Sequence, residues 1–468
     1  MATSNSLNRR EFLGTGAAAA SLTLAGGGVA SASPGRAEGP LRFASIGVGI
    51  RGTGLMKEAT SFASCEAICD VDSMHLRRAA KTLSDHYRSK SLTARAPALC
   101  EDYRRLLDRR DIGVLVIATP DHWHAKIAIE ALHAGKDIYC EKPLTLTVAE
   151  GRQIVDALQS TGRVMAVGSQ QRSGKGFQKA AAMVRTGRLG KIKRVTCGLD
   201  GAPSSPGLPV VAPRASLNWN RWLGPAPYVP YREGGRPSGG YGSQFPQSRG
   251  HAHFRWWYEY SGGKLTDWGA HHVDIALWAL NKTPAALGPY QVEPLAVKHP
   301  VEFIDGMPAT DDRFNTATRF HVRVTLADGT EIDIRDSARD DLGFGNGVMF
   351  QGDEGRMLVN RSKVVGKPVE ELRDDPLSPD DYRGLHKDAN PKGLWHMDNF
   401  FRSVRGETTP ISDVASHHTN LSVCHVANIA MRLNRTLVFD PGSERFVGDE
   451  QANAFLARAP REGFELEV

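Results

Sequence analysis

The sequence predicts an α/β protein whose amino-terminal third is a doubly wound parallel sheet. Three observations carry this. Apolar runs alternate with helical segments from Leu41 to Val167, the first run breaks at a glycine-rich turn, and a second block of strands and helices follows an irregular stretch.

The first strand, from Leu41, runs into Gly47-x-Gly49-x-x-Gly52 and then a helix. In that setting the glycines permit a tight turn and let backbone amides and the helix N-terminus approach a pyrophosphate, which makes Gly47, Gly49, Ile50, Arg51 and Gly52 candidate dinucleotide contacts. The next strand ends at Asp70, eighteen residues after Gly52, close to where a carboxylate takes the adenosine ribose hydroxyls. An acid there favours NAD over NADP. Asp72 competes for the role, and Arg77 or Arg78 keeps NADP in view.

Further units follow: a helix over Ser73–Arg88, a segment over Tyr103–Arg109, the strand Gly113–Ala118, a helix over Ala125–Ala134, the strand Asp137–Cys140, a helix near Val148–Gln159 and the strand Arg163–Val167. Continuous apolar strands in alternation with helices give a parallel sheet, whose ligands sit at the strands' carboxyl ends. Two such ends carry chemistry: Thr119-Pro120-Asp121-His122-Trp123-His124 and Glu141-Lys142-Pro143. Lys142 there is placed for a cofactor ribose and a substrate hydroxyl, although lysine by type is a surface residue, and Pro143 restricts it to an extended backbone.

The stretch Ser261–Leu280 sets titratable groups against apolar ones. On a helix from about Thr266, Asp267, His271, Asp274 and Trp278 fall on one face and Val273, Ile275, Ala276, Leu277 and Leu280 anchor the other. A carboxylate one turn before an imidazole orients it as a general base requires. Asp267 or Thr266 as a simple N-cap is the plainer alternative.

In this order and spacing, Gly47-x-Gly49-x-x-Gly52, Ala118-Thr-Pro-Asp-His-Trp-His124, Glu141-Lys-Pro143 and Gly262-Gly-Lys-Leu-Thr-Asp267-Trp-Gly-Ala-His271-His-Val-Asp274 resemble the glucose–fructose oxidoreductase / inositol dehydrogenase / rhizopine-catabolism (Gfo/Idh/MocA) family, over nearly the whole chain after residue 32. The resemblance implies a Rossmann domain followed by an α/β domain with a large open, mostly antiparallel sheet, and an active site between them. It makes Lys142 the lysine that contacts nicotinamide and substrate, Asp267 the substrate-positioning acid and His271 the base. Thr119, Pro120, His122, His124 and Glu141 join the expected cofactor contacts, and Arg172, Trp222, Trp256, Tyr258 and His272 the substrate contacts. Ser261-Gly-Gly departs from the three glycines of many relatives, and His272 competes with His271 for the substrate. No metal is expected. A homodimer or homotetramer follows from the resemblance and from the open sheet, whose face needs cover.

Residues 201–250 hold nine Gly and nine Pro, against about 12% for the pair in ordinary chains. Eleven aromatics, from Trp219 to Tyr260, crowd this region and its sequel. They serve either as packing, over the sheet or between subunits, or as a platform for sugar faces, with Arg221, Arg249, His251, His253 and Arg255 as polar partners. Farther on, Phe320–Ile334 reads as a hairpin with an Asp328-Gly329 turn, Val348–Phe350 and Arg356–Val359 as strands, and Trp395–Val404 and Val414–Leu433 as helices; His417 and His418 are assigned to structure.

Asn8-Arg9-Arg10, the apolar run Ala17–Ala25 and Ala30-Ser31-Ala32 read as a twin-arginine export signal cleaved after Ala32, too short to span a bilayer. An uncleaved tether is the alternative. The expected division is a signal over 1–32, an NAD-binding domain over 33–168, a substrate-binding and assembly domain over 169–440 and a tail over 441–468, in the periplasm. Formal charge is +6, without basic blocks, which gives no reason to expect nucleic acid. The six cysteines match no zinc spacing, and folding before export leaves them as free thiols. The expected activity is hydride transfer from a secondary hydroxyl of a sugar, glycoside or polyol to a tightly held NAD. The alternatives are an NAD-dependent glycosidase working through transient C3 oxidation, and a binding protein that keeps the nucleotide as a structural part.

Overall fold

A computed structural model describes residues 40–91, 95–239 and 242–466, which lie in one compact unit. The export signal and Tyr241 fall outside the described residues. The first part comprises β1 (Arg42–Ile46), α1 (Ile50–Ala59), β2 (Ser64–Cys69), α2 (Ser73–Ser89), β3 (Ala98–Cys100), α3 (Arg104–Leu107), β4 (Val114–Ile117), α4 (Asp121–His133), β5 (Asp137–Cys140), α5 (Val148–Thr161) and β6 (Met165–Val167). All strand pairs are parallel, in the order β3-β2-β1-β4-β5-β6. The order reverses between β1 and β4, where a crevice opens for ligands.

Sequence signals set the ends of these elements. Asp72 caps α2 through Met74 N, and Thr147 with Glu150 forms a capping box on α5, which ends on left-handed Gly162. One boundary departs from expectation. The helix after β4 starts at Asp121 rather than Ala125, so His122 and His124 lie in its first turn instead of in a strand-end loop. Pro120 supplies the entry, since a proline costs nothing where helical N–H groups have no partner.

The second sheet has nine strands, in the order Val364–Val365, Arg356–Val359, Asn346–Gly352, Ile192–Leu199, Glu331–Arg335, Arg319–Thr325, Tyr290–Lys298, Leu437–Asp440 and Arg445–Phe446. Every pairing is antiparallel except Ile192–Leu199 with Glu331–Arg335. The expected hairpin turns at Gly329, with φ +83°. Val195, Cys197, Val322 and Ile334 point inward beneath the helices Gly269–Ala279 and Val414–Leu433, in a core that also reaches Leu115 of β4, Ile127 of α4 and Ile154 of α5. The other face is polar: Arg323 and His321 bind Asp333 at 2.9 and 3.1 Å, and Arg194 pairs with Glu331.

Two sequence-distant segments return to the first sheet. The irregular insertion pairs Asn218 N with Val71 O (3.0 Å) at the end of β2. The tail lays Leu456 O against Ala149 N (3.0 Å) and Phe464 edge-on to Trp123 of α4. All six cysteines are free, and no described helix is long and apolar enough to cross a membrane.

Candidate active site

Two cavities meet at the carboxyl ends of β1, β4 and β5. The narrower, of about 330 Å³, is lined by Gly47, Gly49, Ile50, Arg51, Gly52, Asp70, Thr119 and Pro120. A Cβ at Gly47 (φ +78°) would lie 2.7 Å from Ala118 O, and one at Gly52 would lie 1.8 Å from Gly47 O, so both glycines are dictated by the protein itself. At Gly49 a Cβ would meet only His75, at 4.0 Å. The turn is therefore bare on its outer side, the surface that a pyrophosphate at a helix N-terminus needs, and the residues present fit a dinucleotide.

Asp70 accepts Val48 N (2.8 Å) and Asp72 N (2.9 Å) while lining this cavity. Its competitor Asp72 is fully buried, caps α2 and meets His251 at 3.2 Å, so of the two acids only Asp70 lines the cavity. Trp222, Phe245 and His251 of the insertion and Phe464 of the tail complete the walls.

The wider cavity, of about 1810 Å³, holds Lys142, Asp267 and His271. A short helix Gly263–Asp267 ends at Trp268, and a second, Gly269–Ala279, begins there. The break overturns the expected orienting contact. Asp267 does not hydrogen-bond His271; it accepts Lys142 Nζ at Oδ1 (2.6 Å) and at its carbonyl (2.9 Å), with Arg255 at 3.5 Å. Burial pushes the Asp267 carboxyl up, but the Lys142 and Arg255 charges outweigh it and hold the group ionised far below the usual range. Burial, aided by Lys142, Arg361 and His272, pushes the His271 imidazole well below its usual value, so the ring is neutral. Its Nδ1 is buried without a hydrogen-bond partner among the described residues. Arg51, Thr119 and Arg255 line both cavities, so a nicotinamide held by the narrower one would reach this cluster.

Residues 41–169 match the model of the oxidoreductase family's NAD-binding Rossmann fold (GFO_IDH_MocA), and residues 206–466 match that of its C-terminal alpha/beta domain. The chain belongs to the Gfo/Idh/MocA family. A stretch of 158 residues is 35% identical to glycosyl hydrolase family 109 protein 2 of Shewanella sp. (strain ANA-3), covering 32% of this chain and 33% of that protein. Another, of 154 residues, is 33% identical to an alpha-N-acetylgalactosaminidase of Shewanella oneidensis, with the same coverage of 32% and 33%. The chain thus aligns with about a third of the length of these curated relatives. Among solved structures, the WlbA dehydrogenase from Bordetella pertussis, in complex with NADH and UDP-GlcNAcA, superposes with a TM-score of 0.56 at 17% identity, over 86% of this chain and 98% of that one. The aldose-aldose oxidoreductase from Caulobacter crescentus gives 0.51 at 16%, over 85% and 99%. At these identities the likeness is one of fold.

Within this family framework several expected contacts are placed elsewhere. His122 is buried between Trp222 and Tyr260 with Nε2 at the Trp222 carbonyl (3.1 Å), and His124 spans the carbonyls of Pro143 (2.7 Å) and Thr119 (2.9 Å). Neither lines a cavity, because both rings turn inward from the first turn of α4. His124 instead braces the cis-linked Lys142–Pro143 pair. Arg172 is 1% exposed and forks onto Asp274, so it is a packing pair and no substrate contact, and Asp274 leaves the expected reactive face with it. His272 faces Gln171 and Asn346, and Tyr258 faces His299 and Asn428. Trp222 walls the dinucleotide cavity, whereas Trp256 does line the wider one. Most of the aromatic region is packing: Trp219 stacks on Trp222 at 4.7 Å, and Arg249, wholly buried, lies over Trp257. His417 and His418 lie against Asp274 and Glu444, away from both cavities.

Sequence reasoning missed the pairing of Glu141 with Arg51 (2.7 Å), the Arg255 contact with Asp267, and Ser261 donating to Asp121 (2.5 Å). Each joins residues 90 or more apart or, for Arg255, the short 3-10 helix His251–Trp256 to the helix Gly263–Asp267, and no local period carries such contacts.

Proposed function

We propose that this protein is an exported NAD-dependent oxidoreductase that removes hydride from a secondary hydroxyl of a sugar, glycoside or polyol. The observation that carries the reading is the convergence of the Lys142–Asp267 pair and the unpartnered, neutral His271 in the wider cavity, which shares Arg51, Thr119 and Arg255 with the narrower one. The nicotinamide, when bound, supplies the hydride acceptor. The chain supplies the rest. Lys142, held by Asp267, donates to the reacting hydroxyl oxygen and stabilises negative charge there. His271 takes the hydroxyl proton. A neutral imidazole of lowered pKa is too weak to strip a resting alcohol, so the proton leaves only as the carbonyl forms.

Cofactor retention between turnovers, with the NADH reoxidised in place by reduction of a second sugar or by an electron-accepting partner, is part of the proposal, supported by walls drawn from the insertion and the tail: Arg461 Nε binds Gly224 O (2.9 Å), and Lys126 reaches the carbonyl of Glu465. Retention suits export by the twin-arginine route, which carries folded proteins to a periplasm without a free NAD pool. Assembly as a homodimer or homotetramer through the open sheet belongs to the same proposal.

The relatives named for glycosyl hydrolase family 109 favour a second reading, in which the C3 hydroxyl is oxidised, a base removes the C2 proton, the aglycone leaves C1, water adds there, and the C3 carbonyl is reduced again. Both readings share the first step. Incubation in D₂O with aryl glycosides and free sugars separates them. Oxidised sugar, unlabelled at C2 and without aglycone release, is the expected result. Deuterium at C2 with aglycone release and no NADH accumulation establishes the hydrolase instead.

A further inference from the structure

The wider cavity carries more positive charge than its reacting cluster uses. Eleven basic against six acidic side chains line it. Those beside the reaction centre are paired: Lys142 with Asp267, Arg51 with Glu141, Arg255 with Asp267. Two are not. Lys264, on the short helix before Trp268, and Arg361, just after the strand Arg356–Val359, have no carboxylate within 4.0 Å among the described residues. Both lie over the Trp268 ring, at 5.6 and 4.6 Å from its centroid. With the Gln171 amide turned to donate to His272, Arg361 Nε has only the Gln171 oxygen, at 3.3 Å. Desolvation lowers both cations' pKa, Lys264 despite the pull of Asp267 and Asp200, the latter already engaged by Arg339 at 3.6 Å. Lys264 is partly buried and Arg361 is exposed beside it; a partly desolvated cation without a counter-ion is unfavourable in the free protein and becomes favourable when a ligand brings the anion. The dinucleotide phosphates do not meet this need, because neither residue lines the narrower cavity. Arg361 is also among the charges that act on His271, so the anion would be held beside the base.

We propose that the substrate is an acidic carbohydrate, whose carboxylate or sulfate ester is received by Lys264 and Arg361 at Trp268 while its secondary hydroxyl lies at Lys142 and His271. This rests on the oxidoreductase reading for the reaction and adds the substrate class.

The test uses the NAD-loaded full chain and calorimetric titration at low salt with three probes: methyl β-D-glucuronide, methyl glucoside 6-sulfate and the neutral methyl β-D-glucoside. The expected result is that one or both acidic probes bind at least about tenfold more tightly than the neutral one, the size of a charge-assisted contact. The preference should shrink with added salt and disappear in Lys264→Met/Arg361→Gln. Binding of the glucuronide alone assigns a uronate, and of the sulfate alone a sulfated sugar. Arg361→Gln alone, at an exposed side chain, guards against a folding defect, with bound NAD as the check, and should remove part of the preference. Equal binding of all three probes, or a preference that survives the double substitution, overturns the proposal. Tight binding of an acidic probe that never reduces the bound NAD overturns the oxidoreductase reading alone. Hydride transfer from the neutral glucoside without acidic preference overturns the substrate class alone.

Discussion

Two ion pairs seven residues apart on one stretch of chain have opposite fates. Lys142–Asp267 and Arg172–Asp274 each join a cation from near the first sheet to an aspartate of the two-helix segment, at 2.6 and 2.5 Å. In both, burial pushes the carboxyl up and the paired cation overrides it, holding the group ionised far below its usual range. Asp267 nonetheless opens onto the wide cavity with 13% of its side chain exposed, while Asp274 is sealed at 1%, with Ser169, Asn420 and His417 around it. A perturbed carboxylate therefore does not mark the reaction centre. What separates the pairs is access, together with a neighbour that has a free valence: His271 lines the cavity and its buried Nδ1 lacks a partner, whereas Arg172 is saturated.

The largest effect should come from the open pair's neighbour. His271→Ala is expected to lower kcat by about 10²–10⁴, the range for a positioned acid–base group, with bound NAD and melting temperature unchanged. His272→Ala, which removes hydrogen bonds to Gln171 and Asn346, should cost stability first. Steady-state kinetics and melting curves of the two variants decide it; a larger kcat loss in the His272 variant would move the base to the other imidazole.

At the sealed pair the signs reverse. Arg172→Met leaves Asp274 buried without its counter-ion, a loss of about 3–5 kcal/mol of stability, to be read from denaturant unfolding at neutral pH. Should the variant keep its stability and lose activity instead, Arg172 would rejoin the substrate contacts and the contrast between the pairs would fail.

The first sheet was legible because its signals are local. A run of apolar residues, three glycines and an acid at a fixed distance specify β1 to β2, and the period of two specified the hairpin at Gly329. The reactive residues were legible as types, and their partners were not. A helix drawn straight from Thr266 to Trp278 put Asp267, His271 and Asp274 on one face, but the chain breaks at Trp268 and rotates Asp274 into the core. Gly263, at φ +66° with its Cβ position 2.7 Å from Thr316, and Gly269, whose Cβ would lie 2.8 Å from Cys424 Sγ, are where the two short helices dock, and glycine is a weak helix former in either place. The walls that the insertion and tail add to the dinucleotide cavity had no sequence signal, since they depend on contacts between segments more than 200 residues apart, such as Arg461 with Gly224.

A smaller effect is expected at the far end of the dinucleotide cavity. Asp70→Arg should weaken NAD and relatively favour NADP, because the carboxylate that would take the ribose hydroxyls is replaced by a partner for a 2′-phosphate. Equilibrium binding of both dinucleotides to the apo variant tests this. Equal loss of both would return the ribose role to Asp72, against its burial beneath α2.

The smallest effect is also the most specific to the open pair. A base works when unprotonated, so a lowered imidazole pKa keeps His271 neutral as pH falls through about 6.5, where an ordinary histidine would charge. The acid limb of kcat should accordingly lie well below that value. Burial is the larger cause and stays in every folded variant; the Arg361 charge is a lesser one and can be removed. Arg361→Gln should therefore move the acid limb of kcat upward, by less than about one unit, and added salt should shrink the difference between the two enzymes. The same depression has a folding cost in the same range. His272 and His396, lowered to about 4 by burial, stay neutral in the native state while the unfolded chain takes up protons from about 6.5 downward, so stability is full above that pH and declines below it. Melting curves at each pH separate the two losses, because unfolding would remove bound NAD together with activity, and titration of His271 removes activity alone. A limb that moves down in Arg361→Gln, or stays fixed at low salt, would show that another group titrates, and the access argument that singles out His271 would lose its support.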